Sequence, residues 1–235
     1  MTAGDHLAEL ASIGHHRTLA ERAFAALHEA IVTGKLAPGE RLPIEELAGP
    51  LQMSPMPVRE ALRRLHAAGL VENVAHRGAR VTELSIEDLR EVYEARLELE
   101  PLAVRHAAER FTDEDAHTAA AALDRHVRAY RRGDVNETFT AHTDFHFTLY
   151  RAGGSRWLLR LITPLWESSQ RYRMSLPTRY RRALEERRSE HERILRACVD
   201  RSPDDAAREL HDHLVITANR VSSRMGGGDL FERWR

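Results

Sequence analysis

The chain has 235 residues, 42% hydrophobic and 30% charged, enough for one or two domains that each bury a core. Its 35 basic residues are balanced by 36 acidic ones, and a net charge of −1 excludes a nonspecific polycationic coat for nucleic acid. No apolar run approaches the roughly eighteen residues that a membrane span needs, and a lone Cys198 excludes an intrachain disulfide. With no basic-then-apolar leader at its start, the sequence predicts a cytoplasmic protein that engages no membrane.

Residues 1–16 are expected to form a flexible tail. Thr18 and Glu21 have the spacing of a capping box, and Phe24, Leu27 and Ile31 continue a helical stripe that stops at Gly34. PGERL at 38–42 reads as a turn. A second helix is predicted at about 44–51, with Leu47 and Leu51 facing inward and Pro50 weakening its last turn. Ser54 is placed to cap a third helix, and Pro55 falls at the first helical position, which tolerates a missing N–H. There Val58, Leu62 and Leu65 form the buried side, Arg59 and Arg63 share the opposite one, and Gly69 ends the helix. Short strands are expected near 70–74 and 79–83, joined through His76, Arg77 and Gly78.

Two helices, a third helix and a hairpin in this order, over residues 17–83, make a winged helix-turn-helix. From 55 to 80, Arg59, Arg63, Arg64, Arg77 and Arg80 meet only Glu60 and Glu72, a local excess of three positive charges. A focused patch on a near-neutral chain suits double-stranded DNA. The third helix would enter the major groove, and Arg77 would reach a phosphate or the narrow minor groove. The bland reading is a solvated arginine face, but the cap, the helix order and the basic hairpin all favour DNA. The candidate contacts are Ser54, Arg59, Arg63, Arg64, Arg77 and Gly78.

After Ser85 the strand signals vanish. Ser85 with Asp88 and Thr112 with Asp115 cap long helices, and more are expected at about 134–151, 155–174, 180–200 and 204–224. Residues 84–225 thus read as an all-α bundle of six or seven helices, and 226–235, opening on three glycines, as a disordered tail. His142 and His146 share a stripe with Val135, Phe139 and Leu149. His191 shares one with Leu184, Ile194 and Cys198, and His213 one with Ala206, Leu210 and Thr217. Two histidines at i, i+4 and two more from separate inward faces make a metal-ligand pattern; four separately satisfied core histidines fit the same spacing. Arg96 lies on the side of its helix marked by Leu89, Val92, Tyr93 and Leu97, where a guanidinium needs an anion. Either Glu100, one turn on, or the carboxylate of a small organic acid would serve.

AIVTGKLAPGERL, LA at 47–48, SPMPVREALRRLHAAGLVE and HRGARV closely resemble the winged-helix domain of GntR-family bacterial repressors. In that family the third helix opens on Ser/Thr-Arg-x-Pro and its arginine contacts DNA; here Pro55 stands in place of that arginine and Met56 follows. ARLELEPLAVRHAAER, FH at 145–146, EH at 190–191 and HL at 213–214 resemble the FCD ligand-binding domain of the FadR subfamily. The resemblance implies a divalent metal held by one acidic residue and three histidines, with the acid four residues before the FH histidine. His142 occupies that position, and Asp144 is two residues too late. Either metal binding is altered or the set is all-imidazole, His142, His146, His191 and His213, and such a set suits zinc, or nickel, better than manganese or magnesium. Occupancy is expected to fall below about pH 6.5, where the ligands protonate. The resemblance also turns Arg96 toward an effector carboxylate.

The expectation is a homodimeric DNA-binding regulator, a repressor, reading a pseudo-palindrome whose half-sites lie about one helical turn apart. A small organic acid bound near the metal and Arg96 would tune it. A purely structural metal without acid sensing is the alternative. A metal-dependent hydrolase is disfavoured because no acid is placed as general base and no catalytic motif occurs.

Overall fold

The computed structural model describes residues 18–74, 78–174 and 181–234, and divides the chain into two compact units, Met1–Glu83 and Leu84–Arg235. In the first unit, α1 (Leu19–Val32) starts at a complete capping box: Glu21 N donates to Thr18 Oγ1 at 3.2 Å, and Thr18 N to Glu21 Oε2 at 2.8 Å. The PGERL turn runs directly into a two-residue strand, β1 (Arg41–Leu42), which is too short to show periodicity in sequence. Helix α2 (Ile44–Leu51) follows, then α3 (Pro55–Ala67). Ser54 occupies the N-cap position, but its side chain makes no capping hydrogen bond, contrary to expectation. An N-cap hydroxyl accepts from the second or third helical N–H, and Pro57 at the third position has none.

Strands β2 (Val71–Val74) and β3 (Gly78–Val81) complete an antiparallel sheet of order β1-β3-β2, with Glu72 opposite Arg80 and Leu42 opposite Ala79. One face of the sheet and the inner sides of the helices enclose Leu27, Ile31, Leu42, Val58, Leu62, Leu65 and Val81. Residues 75–77, with the candidate Arg77, lie outside the described residues.

The second unit contains six described helices: α4 (Ile86–Arg110), α5 (Asp113–Arg132), α6 (Val135–Ala152), α7 (Arg156–Met174), α8 (Arg181–Val199) and α9 (Pro203–Arg224). Ser85 and Thr112 cap α4 and α5 as their spacing predicts. The long α4 packs chiefly against α9 and α7, and α5 against α6. Their inner faces share a core that includes Tyr93, Phe145, Leu149, Trp166, Ile194 and Leu210. Cys198 is buried there, and burial alone pushes its thiol up to about 12, so it is an unreactive packing residue.

The C-terminal segment corrects the expectation of a disordered tail. Asn219 Oδ1 accepts from Leu230 N at 2.8 Å, and its amide donates to Phe231 O at 2.9 Å. Ser222 Oγ donates to Gly228 O at 2.7 Å, while Leu230 and Phe231 pack on the core. The three glycines form the bend by which the chain folds back on α9. Among the described residues no helix is long and apolar enough to cross a membrane.

Candidate functional site

On α3 the apolar side is fully committed to the core, which leaves Met56, Arg59, Glu60 and Arg63 along the outer side. Arg59 is exposed, and no described residue pairs with it. Arg63 is exposed but donates to both oxygens of Glu60, at 3.0 and 2.7 Å. Arg64 stacks its guanidinium over the Phe24 ring, 4.3 Å from the centroid. Arg80 is held by Glu72 across the sheet and by Glu83 at 3.3 Å. Gly78 is exposed at a φ of +82°, where an L side chain would be strained. The positive patch of the sequence is therefore largely internally paired, with Arg59 its open charge among the described residues.

In the helical unit, α6, α8 and α9 bring His142, His146, His191 and His213 together, with one donor atom from each inside a 4.8 Å span. The Nε2 atoms of His146 and His191 are 3.1 Å apart, and those of His191 and His142 are 3.2 Å apart. Burial, then the neighbouring imidazoles, holds His142 and His146 well below the usual histidine range. Burial lowers His213 too, against the opposing pull of Glu190. Neutral imidazoles with free lone pairs are what a metal requires.

The outer nitrogens select the tautomers. Burial and Glu100 keep the Tyr150 hydroxyl protonated; it donates to Glu100 Oε2 at 2.6 Å and so accepts from His146 Nδ1 at 3.2 Å. Glu190 Oε2 accepts from His213 Nδ1 at 2.9 Å. Both rings are thereby left with Nε2 as the ligating atom, the usual arrangement behind metal-bound histidines. His142 differs. Arg173 Nη1 donates to its Nδ1 at 3.2 Å, so the neutral ring carries its proton on Nε2. His146 and His213 thus present Nε2 toward the cluster, and His142 would have to release Arg173 to present its own lone pair there.

A cavity of about 210 Å³ opens beside His142, His191 and His213, walled by Tyr130, Val135 and Phe139 and edged by Arg173, Arg220 and Arg224. Arg96 does not line it. That side chain is 1% exposed, and it donates to Glu100 at 2.6 and 3.1 Å and to Ser169 at 2.9 Å. This is the internal ion pair, which corrects the placement of Arg96 on an effector pocket: Glu100 sits one turn away and satisfies the guanidinium inside the core.

Residues 19–81 match the family model of bacterial regulatory proteins of the gntR family, and residues 91–215 match the FCD domain. The HTH-type transcriptional regulator BphR of Paraburkholderia xenovorans is 32% identical over 89% of this chain and 87% of its own length. The chain belongs to the GntR family. It is a DNA-binding transcriptional regulator with an FCD domain, and not an enzyme. The HTH-type transcriptional repressor GlaR of Escherichia coli is 28% identical over 84% of this chain and 93% of that one. The structure of E. coli McbR/YncC shares the fold, with a TM-score of 0.80 at 24% identity over 89% of this chain and all of that one.

Against the FCD pattern, this GntR regulator carries an imidazole at His142, while the carboxylate of Asp144 turns away to Arg125 at 3.1 Å. Several residues escaped the sequence reading. His126 is buried on α5, its ring 5.3 Å from His142, with Nδ1 donating to Thr138 O at 2.9 Å. Its stripe with Ala119, Ala122 and Leu123 was a usable signal. Tyr150 lies one turn from His146 on α6, a spacing that was a usable signal, whereas Glu190 and Arg220 carry none because their partners lie on other helices.

Proposed function

We propose that this regulator is a repressor that binds a pseudo-palindromic DNA operator as a homodimer and is controlled by a small organic acid bound beside a metal. The observation that carries the reading is the convergence of four imidazoles, three of them held toward the neutral form by burial, on a cavity edged by arginines. His146, His191 and His213 would hold a divalent cation, zinc or nickel by donor softness, with His142 as fourth ligand. Bound there, the cation would supply Lewis-acid attraction for a carboxylate. Arg173 and Arg220 edge the cavity and would take the same anion, Arg220 beside its contact with Glu190 at 3.2 Å, and Arg96 would support His146 through Glu100 and Tyr150. Pairing of two copies is supported by an apolar face on α7, where Trp157, 70% exposed, lies one turn from exposed Leu161.

On α3, Arg59 and Arg63 would contact the major groove, with Ser54 and Gly78 near the phosphates and Arg77 on the wing. The name of a relative, the HTH-type transcriptional repressor GlaR, supports the sign of the response. The second reading, a structural metal without sensing, draws on the same four imidazoles, since a closed tetrahedral set leaves no position for an acid.

Elemental analysis of the purified protein, with operator binding titrated against a panel of organic acids, tests the proposal. Expected are about one metal per chain, lost in His146→Ala, and an acid that changes operator affinity in wild type and not in that variant. A metal whose chelation lowers the melting temperature, with no acid altering DNA affinity, selects the structural reading. A chain that retains no metal overturns both.

A further inference from the structure

The first turn of α3 is an apolar tip. Pro55 and Pro57 flank Met56, which is 66% exposed, on the side of the helix that also carries Arg59 and Arg63. The two prolines remove two of the three N–H groups that the first helical positions would otherwise offer to a phosphate or base acceptor. Ser54 is exposed beside them, yet the family's arginine at the following position is absent. The N-terminal end of a recognition helix is the part that reaches base edges, and this one arrives there almost without hydrogen-bonding capacity.

An apolar tip can discriminate among the four base pairs in the major groove by one feature only, the C5-methyl group of thymine. A long, unbranched and polarisable side chain suits that contact, since it adapts to a methyl without fixed directionality. We propose that Met56 is a specificity-determining residue that reads a thymine methyl in each operator half-site, where an arginine would read a guanine. This rests on the placement of α3 in the major groove. Arg59, one turn on, supplies the charged contact to the neighbouring base or phosphate. The operator of this regulator then carries a thymine in each half-site under the helix tip.

The full chain is used to select an operator from random duplexes, and each thymine of that operator is replaced in turn by uracil, which removes only the methyl. Wild type is expected to lose about four-fold in affinity per half-site at one position, the effect of one buried methyl-sized group. Met56→Ala is expected to bind thymine and uracil alike there, with an unchanged melting temperature. If wild type ignores every replacement while Arg59→Ala weakens binding, the Met56 assignment is overturned and the docking stands. A uracil effect that persists in Met56→Ala overturns it equally. If no operator emerges, or neither Met56→Ala nor Arg59→Ala changes affinity, the docking of α3 falls and the assignment with it.

Discussion

Arg59 and Arg63 carry the same charge on the same side of one helix, yet the structure gives them different starting states. Arg63 must give up a two-point contact with Glu60 before it reaches DNA, whereas Arg59 is open. Arg59→Ala is therefore expected to weaken operator binding by ~1–3 kcal/mol if it reads a base, and Arg63→Ala by less. Equilibrium dissociation constants on one operator measure the order; equal losses, or none, contradict it. The arginines themselves were legible, because their four-residue spacing puts them opposite Val58, Leu62 and Leu65. Glu60 lowers the net charge of the same stretch, but a charge count does not say which arginine it holds. Arg96 shows the reverse: its burial was legible, and both candidate anions were named, but only packing decided for Glu100.

At the scale of elements, the caps, glycines and apolar stripes placed most helices to within a residue or two, since each signal is local. Thr18, Ser85 and Thr112 work as N-caps as read, and Ser54 makes no capping bond, Pro57 having removed one of its two possible donors. Gly153, by contrast, is needed for packing rather than for its turn. An added Cβ would lie 2.5 Å from the carbonyl oxygen of Ala103, where α6 ends against α4. Backbone cannot yield as a flexible side chain would, so Gly153→Ala is expected to cost about 1–3 kcal/mol of stability. Denaturant titration measures it. A substitution within error of wild type would show that α4 and α6 part there at no cost. The C-terminal segment departs from its sequence expectation for a related reason: glycines mark a flexible bend in sequence, and contacts from Asn219 and Ser222 on α9 make it an anchored one.

For the whole molecule the buried histidines set the acid limit of stability. Burial, above all, holds the folded-state values of His142, His146 and His213 below the ordinary 6.5. The unfolded chain then takes up protons that the native chain refuses, so stability rises with pH up to about 6.5 and is lost progressively below it. The metal-free protein is expected to show a melting temperature independent of these groups above about pH 7 that declines on acidification. A melting temperature that instead rises from pH 7 to pH 5 contradicts the neutral-imidazole description. Bound metal would resist loss further into acid than ordinary imidazoles allow, which revises the limit of about pH 6.5 expected from sequence.

Local chemistry is written along the chain, and so the sequence by itself determined the two-unit layout, the helix boundaries, the DNA-binding module and the four histidines that face inward. Which groups meet across helices depends on crossings that no local pattern encodes. The tertiary structure alone decided that Arg96 is spent on Glu100, that Arg173 occupies the outer nitrogen of His142, and that arginines of α7 and α9 edge the cavity. A side chain's partner is set by distance in space, and in a bundle that distance is fixed only once every helix has packed.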